Sequence, residues 1–276
     1  MVKRIITAIV AIAIFVPICY FSDYVVFPIA IGILCAISVF EISKCLGFTE
    51  PKRLVLTIPM YIIALGLPIL RYYLTTNSEF MLYAMGLAFF MLMYSLAYVM
   101  LRKNADNVSD ILMLYAMFMY VVGCFTSIVI VRYTGFEGKY MYLLIFLGAW
   151  ICDTFAYFTG RLLGKHKLIP EISPKKTVEG AIGGIVFTII GFIVYALILK
   201  HQFNYEMPIY QICILGVVLP IVSQIGDLVA SSIKRQYKVK DFGNVFPGHG
   251  GIIDRFDSVM LVSPTLCMIN AIISLF

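Results

Sequence analysis

Residues 207–230 read Met-Pro-Ile-Tyr-Gln-Ile-Cys-Ile-Leu-Gly-Val-Val-Leu-Pro-Ile-Val-Ser-Gln-Ile-Gly-Asp-Leu-Val-Ala, with one formal charge, Asp227. A helix that crosses a bilayer needs about 20 mainly apolar residues, because hydrocarbon offers nothing to bare backbone N–H and C=O groups. This stretch meets that requirement. So do eight others, near residues 5–20, 24–40, 54–70, 79–101, 110–131, 140–160, 177–199 and 255–276. The pattern predicts an all-α, polytopic integral membrane protein of about nine transmembrane helices. The first two runs nearly fuse around Ser22-Asp23, which leaves eight or ten spans as alternatives.

Composition agrees. Of 276 residues, 62% are apolar and 13% charged, with a mean hydropathy of +0.97. Soluble domains run to about 45–50% apolar and about 25% charged, so a water-soluble fold is excluded. With 21 Phe and 18 Tyr and so few charges, a disordered chain is excluded as well. Cys19, Cys35, Cys45, Cys124, Cys152, Cys213 and Cys267 sit in or beside apolar runs without paired spacing. They read as buried thiols rather than a disulfide framework or a metal cluster.

Met1-Val2-Lys3-Arg4 ahead of an apolar run resembles a secretory signal, but Pro17-Ile18-Cys19-Tyr20-Phe21 offers no small-x-small cleavage site. An uncleaved first helix is expected. With nine spans, all but four of the 21 Lys and Arg fall on one side, the exceptions being Arg71, Arg132, Lys139 and Lys200. That asymmetry predicts a cytoplasmic amino terminus and a carboxyl terminus outside. It also accounts for the net charge of +6 without a nucleic-acid partner. Residues 1–135 read as an N-terminal transmembrane scaffold of about five helices. Residues 136–276 read as a catalytic transmembrane region with cytoplasmic loops 161–176 and 231–254.

Ionisable groups at membrane depth are costly and mark cavities or pathways. On a helix, Ser223, Asp227, Ser231 and Lys234 share one face. A carboxylate with hydroxyls one turn either side suits a hard cation such as Mg²⁺. An ion pair of Asp227 with Lys234 or Arg235 is the alternative. Asp254 and Asp257 share a face at the start of the last span. There they serve either a polar site or the helix macrodipole. Pro247-Gly248-His249-Gly250-Gly251 precedes them, and such glycines let backbone N–H groups close on an anion. Asp153 lies in the apolar run Trp150-Ile151-Cys152-Asp153-Thr154-Phe155-Ala156-Tyr157. Five cations follow between Arg161 and Lys176, ending in Ser173-Pro174-Lys175-Lys176-Thr177-Val178-Glu179-Gly180. Juxtamembrane lysines also fix topology or touch anionic lipid heads. Gly180, Gly183 and Gly184 read as close helix packing. Cations for phosphates together with acids for a metal describe phosphoryl-type chemistry at the lipid boundary.

Residues 231–257, Ser-Ser-Ile-Lys-Arg-Gln-Tyr-Lys-Val-Lys-Asp-Phe-Gly-Asn-Val-Phe-Pro-Gly-His-Gly-Gly-Ile-Ile-Asp-Arg-Phe-Asp, carry a longer pattern. It resembles the signature of the CDP-diacylglycerol synthases (phosphatidate cytidylyltransferases), S-x-[aliphatic]-K-R-x4-K-D-x-G-x2-[apolar]-P-x-H-G-G-x2-D-R-x-D, at every fixed position. Asp153 to Gly180 is similar to that family too, while the first half resembles it only as a multi-span scaffold. The resemblance implies that CTP and phosphatidate give CDP-diacylglycerol and pyrophosphate with Mg²⁺, in a bacterial plasma membrane with the site facing the cytoplasm.

It further implies metal coordination by Asp227, Ser231 and Asp254, with Asp257 supporting that site or holding Arg255. Lys234, Arg235, Lys240 and His249 would bind CTP phosphates or pyrophosphate, and Gly250 and Gly251 would supply backbone donors. Lys175, Lys176 and Arg161 become candidates for phosphate contacts on lipid or nucleotide, and Asp153 a further polar member. A second, monovalent cation and a homodimer are compatible with this reading and not specified by it. Rival readings are a CTP-dependent polyprenol kinase, which would release CDP, and a secondary transporter, for which no inverted repeat is evident.

Overall fold

The computed structural model describes residues 2–74, 76–101, 107–135, 137–246 and 250–273, with side chains from residue 9 onward. Among the described residues there are nine helices: α1 Val2–Tyr20, α2 Val26–Cys45, α3 Leu54–Tyr73, α4 Asn77–Leu101, α5 Val108–Arg132, α6 Gly138–Leu163, α7 Val178–Phe203, α8 Ile209–Gln236 and α9 Ile253–Ile273. Eight of them, α2 to α9, are long and apolar enough to cross a membrane. In α1 the described apolar part is Ile9–Tyr20. The protein is thus the all-α, polytopic membrane architecture expected from its hydropathy. Prolines stand inside α1 (Pro17), α3 (Pro59 and Pro68), α8 (Pro220) and α9 (Pro264). In membrane helices such interruptions are tolerated where neighbouring groups re-satisfy the backbone.

Two expected loops differ in detail. Residues 161–176 are not plain coil: α6 continues to Leu163, and an antiparallel hairpin follows, β1 Lys167–Ile169 with β2 Ser173–Thr177. Residues 231–236 belong to α8, so the second connection begins at Tyr237, where Lys238 takes a left-handed φ of 54°. Ser231, Lys234 and Arg235 therefore ride on a helix.

Packing divides the chain into two units, one of residues 1–133 with 239–255, the other of 134–238 with 256–276. The connection after α8 thus packs with the first five helices. In the first unit, Gly32 of α2 faces α3 so closely that a Cβ would lie 2.5 Å from the Leu65 carbonyl oxygen. Two buried arginines hold the loops. Arg132 pairs with Asp23 and donates to Ser22 Oγ at 3.0 Å. Arg71 donates to the carbonyls of Leu74 (2.7 Å) and Tyr133 (3.2 Å) and to Asn77 Oδ1 (2.8 Å).

In the second unit, α6 and α7 meet along small residues. A Cβ on Gly180 would lie 2.6 Å from the Ala156 carbonyl oxygen, and one on Gly184 would lie 2.9 Å from Cys152 Sγ and 3.0 Å from its carbonyl oxygen. Backbones approach this closely only where side chains are absent. The Thr177 hydroxyl accepts the Gly180 N–H at 3.1 Å, capping α7 directly after β2 and fixing the hairpin to that interface.

Overpacking a close contact costs about 1–3 kcal/mol. Gly184→Val is therefore expected to lower the melting temperature in detergent by several degrees. Gly86→Val, where a Cβ meets nothing within 4 Å, should leave it unchanged. Parallel thermal unfolding of the two variants checks this.

Candidate active site

Asp227 sits on α8 directly after Gly226, and that order has a steric reason. A Cβ on Gly226 would lie 2.7 Å from the Asp257 carbonyl oxygen, so the backbone of α9 closes onto α8 here. Asp227 and Asp257 are thereby brought within electrostatic reach of each other, and Asp153 of α6 acts on Asp257 as well. Asp153 Oδ2 accepts a hydrogen bond of 2.8 Å from the hydroxyl of Ser258, which is buried on α9. Asp257 Oδ1 accepts the Ser258 backbone N–H at 2.9 Å. Three helices thus deliver three carboxylates to one neighbourhood within the second unit.

Cations answer them. Lys176 Nζ of β2 pairs with Asp227 Oδ2 at 2.8 Å and also donates to the Gln224 carbonyl at 3.4 Å. The ion pair weighed from the sequence is therefore made with Lys176, rather than with Lys234 or Arg235. Ser231 Oγ donates to Asp227 Oδ1 at 3.3 Å, one turn along α8. Lys234, half-buried on α8, acts electrostatically on Asp257. Arg235, Lys175 and Arg161 are exposed, Arg161 donating to Tyr157 Oη at 3.2 Å. Three carboxylates thus share this neighbourhood with the ammonium groups of Lys176 and Lys234.

The hairpin that carries Lys176 is anchored at its other end. His166 donates its backbone N–H to Glu179 at 3.2 Å, and its Nδ1 lies 2.7 Å from Glu179 Oε1. Lys176 thus comes from a hairpin whose two chain ends, His166 and Thr177, are both tied to α7.

Asp254, Gly250, Gly251 and Lys240 belong to the first unit. Asp254 is buried, and its Oδ2 accepts two backbone hydrogen bonds, from Phe242 N–H at 2.8 Å and Gly251 N–H at 2.9 Å. Its observed work is to draw the two ends of the 242–251 segment together. Gly251 is accordingly not an available backbone donor for an anion, as its N–H is already given to Asp254. Gly250 has a φ of +85°, and its carbonyl accepts the Phe246 N–H at 2.9 Å. Lys240 is exposed. His249, the expected phosphate donor, lies outside the described residues.

One residue of this region was missed. Glu41, 2% exposed near the C-terminal end of α2, accepts the N–H groups of Ile252 (2.9 Å) and Ile253 (3.1 Å) at the start of α9. A signal was present: Glu41 is a lone acid directly after the apolar run 24–40. Bounding the span at residue 40 and reading the first half as scaffold leaves it out.

Residues 2–273 match the model of the cytidylyltransferase family. The chain belongs to the cytidylyltransferase family. It is similar to proteins named phosphatidate cytidylyltransferase from several bacteria. Identity to that of Bacillus subtilis (strain 168) is 37% over 190 residues, 69% of each chain. For Staphylococcus epidermidis (strain ATCC 35984) it is 36% over 265 residues, 95% of this chain and 96% of the relative. For Staphylococcus haemolyticus (strain JCSC1435) it is 42% over 173 residues, 62% and 63% of the two. The family resemblance carried by residues 231–257 is borne out, and the chain is a nucleotidyltransferase of that family.

Because Asp254 Oδ2 accepts the N–H groups of both Phe242 and Gly251, Asp254→Ala should speed hydrogen exchange of those two amides about tenfold or more. Asp227→Asn should leave them unchanged. Site-resolved exchange on both variants checks this.

Proposed function

We propose that this cytidylyltransferase transfers the cytidylyl group of CTP to phosphatidate in the bilayer, releasing pyrophosphate, with its site open to the cytoplasm of a bacterial cell. The carrying observation is the cluster of Asp153, Asp227 and Asp257 with Lys176 and Ser231, built on apolar helices. An aqueous polyanion and a membrane-held phosphate need such a polar cluster at the hydrocarbon boundary. The printed names of the relatives support phosphatidate as the acceptor.

The acceptor needs no activated serine or cysteine. A phosphatidate oxygen, already ionised, forms the bond to the α-phosphorus of CTP. The bond from that phosphorus to the α–β bridging oxygen breaks, and its electron pair leaves with pyrophosphate. What opposes the approach is repulsion between two polyanions, so positioning and charge neutralisation carry the rate. Lys176 and Lys234, with the exposed Lys175, Arg235 and Arg161, supply positive charge toward the phosphates.

The donor set also fits a hard divalent ion. Mg²⁺ characteristically takes one or two carboxylates, keeps several waters and completes its shell with substrate phosphates. Among the described residues no group of three or more His, Cys, Asp or Glu forms a ready protein-only metal cage. Asp227, Ser231 and Asp257 would be the oxygen donors for such an ion, which would supply charge neutralisation at the reacting phosphates. Asp254, also expected to share it, gives its Oδ2 to the Phe242 and Gly251 N–H groups.

Purified protein given labelled CTP, phosphatidate and Mg²⁺ should form CDP-diacylglycerol and pyrophosphate in equal amounts; release of CDP would mean a kinase and overturn the proposal. Asp227→Asn should lower turnover on the order of 100-fold or more with an unchanged melting temperature, and normal turnover would remove Asp227 from the site.

A further inference from the structure

We infer that Glu41 is a positioning residue for the nucleotide end of the reaction, locking the start of α9, with Gly243 and Gly251 packed against it, from within α2. The inference rests on the function proposed above only in its kinetic part. The geometry stands by itself. Glu41 uses both carboxylate oxygens, Oε1 toward Ile252 N–H and Oε2 toward Ile253 N–H. These are amides at the start of α9, where backbone donors have no partner within the helix. A carboxylate there also opposes the positive end of the helix dipole. The usual acceptor in such a cap lies on the residue just before the helix. Here it comes from 211 residues away in the chain.

The packing around it leaves no latitude. A Cβ on Gly243 would lie 2.2 Å from Glu41 Oε1, and one on Gly251 would lie 2.3 Å from the same atom. Glycine at both positions is therefore what admits the carboxylate. Together with Asp254, which takes the N–H groups of Phe242 and Gly251, two acids hold four consecutive or facing amides at the ends of one segment. Lys240 stands just before that segment, and His249 lies within it in sequence. A buried carboxylate that spends both oxygens on backbone is poorly placed to touch substrate, so Glu41 acts through the segment it fixes.

The isosteric variant Glu41→Gln tests this, since it keeps the volume but offers only one acceptor oxygen. In full-length protein in detergent, hydrogen exchange of peptides covering 242–253 should rise about tenfold or more, while peptides from α6 and α7 stay protected. In the same preparation the KM for CTP should rise about tenfold with the KM for phosphatidate held within about twofold. Glu41→Asp should recover part of the loss. Unchanged exchange at 242–253, or exchange that rises equally throughout the chain, would overturn the inference. So would equal changes in both KM values. Should the unaltered protein make no CDP-diacylglycerol, the proposed function fails, whereas faster local exchange in Glu41→Gln would still uphold the lock.

Discussion

A carboxylate placed inside an apolar helix has to find a donor, and the donor that it finds decides which segments of this chain are held together. Hydrocarbon cannot solvate the charge, and a buried charge left alone is among the most destabilising features a protein can carry. Asp227 finds Lys176 and Ser231, Asp153 finds Ser258, Asp254 finds two amides, and Glu41 finds two more. Asp23 finds Arg132. Apart from Ser231, one turn along α8, each of these partners is far away in sequence or closes a connection between helices.

Glycine is the other half of the same device. Gly226 lets α9 reach α8 where Asp227 and Asp257 meet, and Gly243 and Gly251 make room for Glu41. Gly180 and Gly184 bring α7 onto α6, which sets the base from which the hairpin projects Lys176. A Cβ at Gly226 or Gly180 would collide with a backbone carbonyl oxygen, and one at Gly243 or Gly251 with the Glu41 carboxylate, so each glycine keeps its contact at hydrogen-bonding range. Charge placement and small-residue placement are thus one constraint seen from two sides.

The architecture was legible in the sequence because its cause is local. Each of the nine runs carries enough apolar residues to make helix the only way of satisfying its backbone, and the observed helices fall where those runs lie. The ends were less legible. The helix α8 continues through Lys234 and Arg235 because nothing before Tyr237 breaks it, although its charge suggested a loop. The hairpin at 167–177 is too short to show an alternating pattern, and Ser-Pro-Lys-Lys-Thr is no obvious strand. At the site, the residue types were readable and the partners were not. Helical spacing could propose Lys234 for Asp227, since both lie on α8. It could not propose Lys176, which arrives from a strand across the unit, nor Glu41 for the start of α9.

The two kinds of carboxylate differ in what they leave over, and that difference separates support from chemistry. Glu41 gives both oxygens, and Asp254 at least one, to backbone amides, which are neutral, fixed and unable to leave. Asp227 is held by a lysine on a flexible four-carbon stem and a serine hydroxyl that can rotate. A phosphate oxygen competes well for an ammonium, whereas nothing a substrate offers replaces a backbone donor at a helix start. In the proposed reaction, arriving phosphates can therefore rearrange the partners of Asp227 while the N–H groups of Phe242, Gly251, Ile252 and Ile253 keep theirs. Exchangeable partners sit on a hairpin and a helix, and permanent partners hold the start of α9. Preorganised binding of two mutually repelling anions requires that division.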